Sequence, residues 1–233
     1  MKKVLFAATL MVATTTAFAA GADTGEGFLS IQAGRSHVGS NSILTPRQPG
    51  LSPSIVDEHF DRHDQAFGIS GGYRWPISSS IKIGIEGGYI DLGKATARYD
   101  RDVRFIDDRY VSTEKRREQV KAPFVGLNGR WVVADVWSLT ARGGIARYRG
   151  SLDIDEVGSL NGGPASSSHE GDDRTSWSYY FGVALGYDIT SKLTVALSFD
   201  QFKPQFAQDV NGQFLKDRAR VTVPGLRAEY RFL

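Results

Sequence analysis

Eight stretches of this chain set an apolar or small residue at every second position, and no stretch beyond the N-terminal segment holds a helical period. A period of two belongs to a β-strand, whose successive side chains point to opposite faces. The last stretch, 221–233 (VTVPGLRAEYRFL), shows it plainly: Pro224, Leu226, Ala228, Tyr230 and Phe232 alternate with Arg227, Glu229 and Arg231. Such a strand needs an apolar medium on one side only.

The other seven read the same way. Stretch 28–34 sets Leu29, Ile31 and Ala33 against Ser30 and Gln32, and 67–75 sets Phe67, Ile69, Tyr73 and Trp75 against Gly68, Ser70, Gly72 and Arg74. In 81–89, Ile81, Ile83, Ile85 and Tyr89 oppose Lys82, Gly84, Glu86 and Gly88. In 121–131, Val125, Leu127 and Trp131 oppose Asn128 and Arg130. Trp137, Leu139, Ala141 and Ile145 then oppose Ser138, Thr140, Arg142 and Gly144. Phe181, Val183, Leu185 and Tyr187 oppose Gly182, Ala184 and Gly186, and Leu193, Val195, Leu197 and Phe199 oppose Thr194, Ala196, Ser198 and Asp200.

The connections alternate in length. Residues 76–80, 132–136 and 189–192 are short turns, whereas 35–66, 90–120 and 148–176 are long polar segments. A soluble sandwich has no reason to sort its loops by length between two ends; a membrane barrel has short turns on one side and long loops on the other. In hydrocarbon every backbone polar group needs an internal partner, so strands span only as a closed cylinder. The expected fold is all-β, an eight-stranded antiparallel up-and-down transmembrane β-barrel. Asn211-Gly212 favours a tight hairpin, so the last two strands should continue above the membrane as a ribbon over 205–216. Pro204 must then fall at an unpaired position.

Aromatic placement agrees. Tyr73, Trp75, Trp131, Trp137, Tyr187 and Phe232 fall near the short turns, and Tyr89, Trp177 and Tyr179 at the opposite strand ends. Amphipathic rings favour the two headgroup levels.

Residues 1–20 read as a signal peptide: Lys2 and Lys3, an apolar run over 4–12, and Ala17-Phe18-Ala19 before cleavage near Ala19, Ala20 or Ala22. The remainder, 21–233, is about 210 residues, within the range of one all-β barrel domain. Removing Lys2 and Lys3 lowers the formal charge from +2 to 0, which gives no case for a nucleic-acid partner. The chain has no cysteine, so a disulfide scaffold is excluded.

At eight strands the interior is only wide enough for side chains to fill it. The inward set carries Arg74, Lys82, Glu86, Asn128, Arg130, Arg142, Asp188, Asp200, Arg227, Glu229 and Arg231. Counted from the turns, Glu86 and Arg142 stand at equal heights about 10 Å apart along the wall. The pair Glu86–Arg142 is expected, with Arg227 as the competing cation; the alternative is a lumen whose charges are solvated by trapped water.

Catalytic and metal readings are weak. The histidines His37, His59, His63 and His169 all fall in the long connections, away from any outward serine they would need to activate for lipid A hydrolysis. A barrel protease would need more strands and paired carboxylates on the rim. His59 and His63 share a face only on a helix, which nothing there indicates. No catalytic residue, metal or cofactor is expected. Lys115-Arg116-Arg117 has a sharper reading, contact with lipopolysaccharide phosphates, beside the plainer one of a solvated mixed-charge loop.

Ile83-Gly84-Ile85-Glu86-Gly87-Gly88-Tyr89 with Asp91-Leu92-Gly93, Leu139-Thr140-Ala141-Arg142-Gly143-Gly144, Tyr187-Asp188-Ile189-Thr190 and the closing Tyr230-Arg231-Phe232 resemble the OmpA-type outer-membrane β-barrel family. The resemblance implies residence in the bacterial outer membrane and assembly by the barrel-assembly machinery through the closing strand. It implies outer-membrane lipid and lipopolysaccharide as surroundings, with host or phage molecules at the loops. Glu86 and Arg130 match the family's acidic and basic interior positions. Ala196 and Gly186 stand where an arginine and a glutamate are expected, so the family's gating exchange lacks two members. The family's long form adds a peptidoglycan-binding domain, which is not expected here. Three functions follow: a structural and surface-interaction protein that is not an enzyme, a narrow pore for ions or small solutes, or a lipid A-modifying enzyme. The first fits a side-chain-filled lumen best.

Overall fold

The computed structural model describes residues 25–39, 55–104, 108–210 and 213–232. The expected signal peptide, its cleavage site and Asn211-Gly212 lie outside the described residues.

Eight strands close into a ring. In chain order they are β1 (Glu26–Val38), β3 (His63–Pro76), β4 (Ile81–Arg104), β5 (Arg109–Ala134), β6 (Trp137–Leu160), β7 (Ser166–Asp188), β8 (Leu193–Phe202) and β11 (Val221–Phe232). Each pairs antiparallel with the next, and β11 closes on β1 from Gly27↔Phe232 to Val38↔Val221. β2 (Ile55–Asp61) lies along the upper part of β4, and β9 (Gln205–Val210) pairs with β10 (Gln213–Arg218) as a ribbon. Pro204 falls in the break between β8 and β9, where its carbonyl accepts the Ala219 amide at 3.0 Å. A proline there removes no ladder hydrogen bond.

The faces are inverted relative to a soluble barrel. Leu127 is 64% exposed, while its neighbour Asn128 is 1% exposed in the interior. Ile85 and Glu86 repeat the contrast at 52% and 2%. Leaving one large aliphatic side chain in water rather than apolar surroundings costs about 1.5–3 kcal/mol. A belt of them around every strand requires lipid. Nine residues, 81–89, separate the lower aromatic row from the upper on β4, enough for a tilted strand to cross hydrocarbon. Trp75, Trp131, Trp137, Tyr187, Tyr230 and Phe232 are exposed below, and Phe67, Tyr89, Trp177 and Tyr179 above.

The long connections differ from expectation. Most of 90–120 and 148–176 is strand, because β4, β5, β6 and β7 run on for 23 to 26 residues each as a sheet above the membrane. The period of two persists there: Ala95, Ala97, Tyr99 and Arg101 are buried, whereas Thr96, Arg98 and Asp100 are not. The outward positions meet water instead of lipid, so they are polar, and the hydropathy contrast that marks a membrane strand fades. A bulge between Asp91 and Lys94 marks the exit level, with Gly93 at φ 79° and its amide donating to Asp91 Oδ1 at 2.9 Å. A left-handed residue there favours glycine.

Candidate functional site: the filled lumen and its rim

The lumen is built in layers. At the turn end, Arg130 reaches Asp188 at 2.6 Å, Arg231 reaches it at 3.2 Å, and the Thr194 hydroxyl donates to it at 2.6 Å. Above lies Arg74, fully buried. Its two terminal nitrogens donate to both oxygens of Glu229 at 2.7 Å, Nη1 reaches Glu26 at 3.2 Å, and Nε donates to Asn128 Oδ1 at 2.6 Å. The guanidinium also stacks over Phe28 at 3.9 Å, and Lys82 holds the other oxygen of Glu26 at 2.8 Å. Bidentate charge-assisted bonding of this kind is the strong form of the interaction.

Asn128 joins this layer to the next. Its Nδ2 donates to Glu86 at 2.7 Å, and the Tyr180 hydroxyl donates to the other Glu86 oxygen at 2.8 Å. Arg142 donates from Nε to Asp200 at 2.9 Å and pairs through Nη2 with its second oxygen at 2.9 Å. Gln32 accepts from Arg142 at 2.7 Å and from Arg227 at 3.1 Å, and Arg227 lies 3.5 Å from Asp200. Phe124, Tyr180 and Phe202 pack across the lumen above, with ring centroids 4.9 Å apart in the tilted Phe124–Tyr180 pair and 5.8 Å in the stacked Tyr180–Phe202 pair, beneath Ile90, Leu92 and Val120. Above this plug a cavity of about 20 Å³ lies between Leu92, Val120 and Val221, which is room for about one water.

The structure places the expected interior residues on the lumen side. Glu86 and Arg142 stand 3.7 Å apart, but the guanidinium's close partner is Asp200, and Arg227 turns to Asp200 and Gln32 instead of competing for Glu86. Counting heights from the turns neglects the stagger of a closed barrel. In the actual register Arg142 and Asp200 flank the same Gly182, on either side of β7. Glu86 and Arg130 belong to different layers.

Several lumen residues lie outside the expected set: Glu26, which precedes the first alternating stretch, and the inward aromatics Phe28, Phe124, Tyr180 and Phe202. The parity of Tyr180 with Gly182 and Gly186 carries that information. With Glu26 included, five carboxylates (Glu26, Glu86, Asp188, Asp200, Glu229) face six cations (Arg74, Lys82, Arg130, Arg142, Arg227, Arg231). This is an ion-paired filling of the lumen.

Lys115-Arg116-Arg117 is corrected in its setting. The triplet lies in β5, so its members alternate faces. Lys115 is exposed, Arg116 turns inward to Glu114, and Arg117 stands 3.5 Å from Asp155. Strand geometry forbids three consecutive side chains from forming one patch. Arg101 shares Glu114 with Arg116.

The histidines likewise sit on strands. His63 Nε2 stands 2.9 Å from His37 Nδ1, and His169 Nδ1 stands 2.8 Å from Asp155. Among the described residues no three metal-ligating side chains gather.

At the β4–β5 tip Arg109 donates to both oxygens of Asp102 at 3.0 and 2.8 Å, which lowers the Asp102 carboxyl below its ordinary value of 3.8. Asp102 therefore holds its proton less tightly when the tip is formed. The pair supports the tip above pH 3.8, and that support is lost as pH falls through the lowered value. Amide exchange at Val103 and Tyr110, the pair next to the tip, corrected for its intrinsic pH dependence, is expected to stay protected from pH 8 to about 5 and to lose protection below about 4. In Asp102→Asn that acid-dependent loss should vanish.

Lipid-facing strands around a polar, ion-paired interior define a transmembrane β-barrel. A family model described as outer membrane protein beta-barrel domain matches residues 5–232, and the chain belongs to that family. It is an integral protein of the bacterial outer membrane. A search of curated proteins found no match. Among solved structures the chain is similar to Ail of Yersinia pestis, at 16% identity over 89% of this chain and 99% of that one, with a TM-score of 0.41. It is similar to the outer membrane protease OmpT of Escherichia coli at 9% identity over 90% and 94%, with a TM-score of 0.46. OprG of Pseudomonas aeruginosa is a third, at 10% identity over 90% and 98%, with a TM-score of 0.42.

Proposed function

We propose that this barrel is an OmpA-type structural and surface-interaction protein of the envelope, without enzymatic activity and without a standing pore. The observation that carries the reading is the unbroken chain of contacts across the lumen. It runs from Lys82 through Glu26, Arg74, Asn128, Glu86 and Arg142 to Asp200 and Arg227, under the packed rings of Phe124, Tyr180 and Phe202. An ion would have to break several charge-assisted bonds to pass. In planar bilayers the protein is expected to be silent or to flicker; a reproducible large open state would establish the pore function instead.

The same reading has residues 1–20 removed as a signal peptide and the barrel-assembly machinery engaging the closing strand. The sheet above the membrane presents binding surface to lipopolysaccharide and to host or phage molecules. Lipid A from cells overproducing the protein should have an unchanged mass spectrum.

A further inference from the structure

The outer face of β5, β6 and β7 changes character just above the upper aromatic row. Arg147 pairs in register with Trp177, and two residues higher Lys121, Arg149 and Thr175 stand side by side. Arg147 and Arg149 are exposed and have no ion pair or hydrogen bond among the described residues. Higher in this sheet Arg98 is neutralised by Asp100, Arg109 by Asp102 and Arg117 by Asp155, while the exposed Lys115 has no ion pair among the described residues.

A groove of about 390 Å³ opens at this height, lined by Gln119, Lys121, Arg149, Asp173, Arg174 and Thr175. Arg174 is held by Asp172, and Lys121 lies 3.7 Å from Asp91. Lys203 adds a cation at the girdle, donating to the Tyr179 hydroxyl at 3.0 Å. Directly beneath, Val125, Ile145 and Phe181 are exposed as an apolar column.

We propose that this face binds a phosphorylated glycolipid of the outer leaflet. Its phosphate is held by Arg147, Arg149 and Lys121, and its acyl chains lie along Val125, Ile145 and Phe181. The groove lies about 7 Å along the strand above the Trp177 level, the depth of headgroups. The guanidiniums of Arg147 and Arg149 have no carboxylate in contact and suit phosphate, while Asp173 on the groove's lining and Asp91 beside Lys121 bound the site. A soluble anion has no use for the apolar column; an amphiphile uses both halves. The proposal rests on the reading that outer-leaflet glycolipid is a partner, and it shifts the contact away from Lys115-Arg116-Arg117.

The test uses the full barrel folded in detergent, titrated with bisphosphorylated lipid A, dephosphorylated lipid A or phosphatidylglycerol, and read by native mass spectrometry. Three forms are compared: wild type, Arg147→Gln with Arg149→Gln, and Lys115→Gln with Arg117→Gln. Heat-modifiable migration reports folding, and Arg149→Gln alone supplies an intermediate step. Expected is retention of bisphosphorylated lipid A by wild type, about a tenfold loss or more in the 147/149 variant, and none in the 115/117 variant. Dephosphorylated lipid A should bind weakly, and excess inorganic phosphate should not displace the bound lipid. Unchanged retention in the 147/149 variant, or equal affinity for phosphatidylglycerol, would overturn the site. Loss confined to the 115/117 variant would overturn the site yet leave glycolipid as partner, whereas no retention by wild type would remove the partner as well.

Discussion

Replacing Arg74 with methionine is expected to lower the unfolding free energy of the barrel by about 3–5 kcal/mol, the usual consequence of removing one partner from a buried ion pair. Arg74 is 0% exposed and satisfies Glu229, Glu26 and Asn128 at once, besides stacking over Phe28. Without it Glu229 stays buried with no charge partner in contact, and Glu26 keeps only Lys82. The measurement is the urea midpoint followed by loss of the fast-migrating folded band. Adding Glu229→Gln to Arg74→Met should recover part of the loss, since the stranded charge goes with it. A change below about 1 kcal/mol would mean that water serves those carboxylates as well as the guanidinium does.

The second large effect is steric. Gly84 faces the lumen between Arg74 on β3 and Asn128 on β5. A Cβ there would stand 1.8 Å from the Tyr73 carbonyl oxygen and 2.6 Å from the Arg74 Cα, both backbone. Strands β3 and β4 must part to admit it, so Gly84→Ala is expected to cost about 3 kcal/mol, the upper part of the range for overpacking. Gly129, one residue from Asn128 on β5, is the control: its Cβ would meet nothing nearer than 3.9 Å. Gly129→Ala should stay within about 0.5 kcal/mol of wild type. Equal effects from the two alanines would show that the glycines serve strand flexibility rather than lumen space.

These two residues also mark what could be read from the chain beforehand. Inward and outward faces were legible because hydrocarbon imposes a strict period: Leu127 beside Asn128 can be assigned without coordinates. The same period gives the strand count, and the alternating connection lengths distinguish the two ends of the barrel. Partners within the lumen were not legible, because shear displaces each strand by an amount that side-chain parity does not encode. Parity and height alone therefore pair Arg142 with Glu86 ahead of Asp200. Above the membrane the signal weakens as lipid gives way to water, and strand there has the composition of loop. Ala95, Ala97 and Tyr99 kept the period there, and Asn161-Gly162, both at positive φ, carried the turn chemistry at the β6–β7 tip.

Everything rests on lipid outside and a filled polar interior within. The chain has no cysteine, so single cysteines on β5 can carry nitroxide labels in a bilayer without background. At Val125 and Leu127 collisions with dissolved oxygen should outweigh those with a water-soluble nickel chelate, and at Lys121 and Arg117 the order should reverse. Nickel access at Leu127 equal to that at Arg117 would contradict the account.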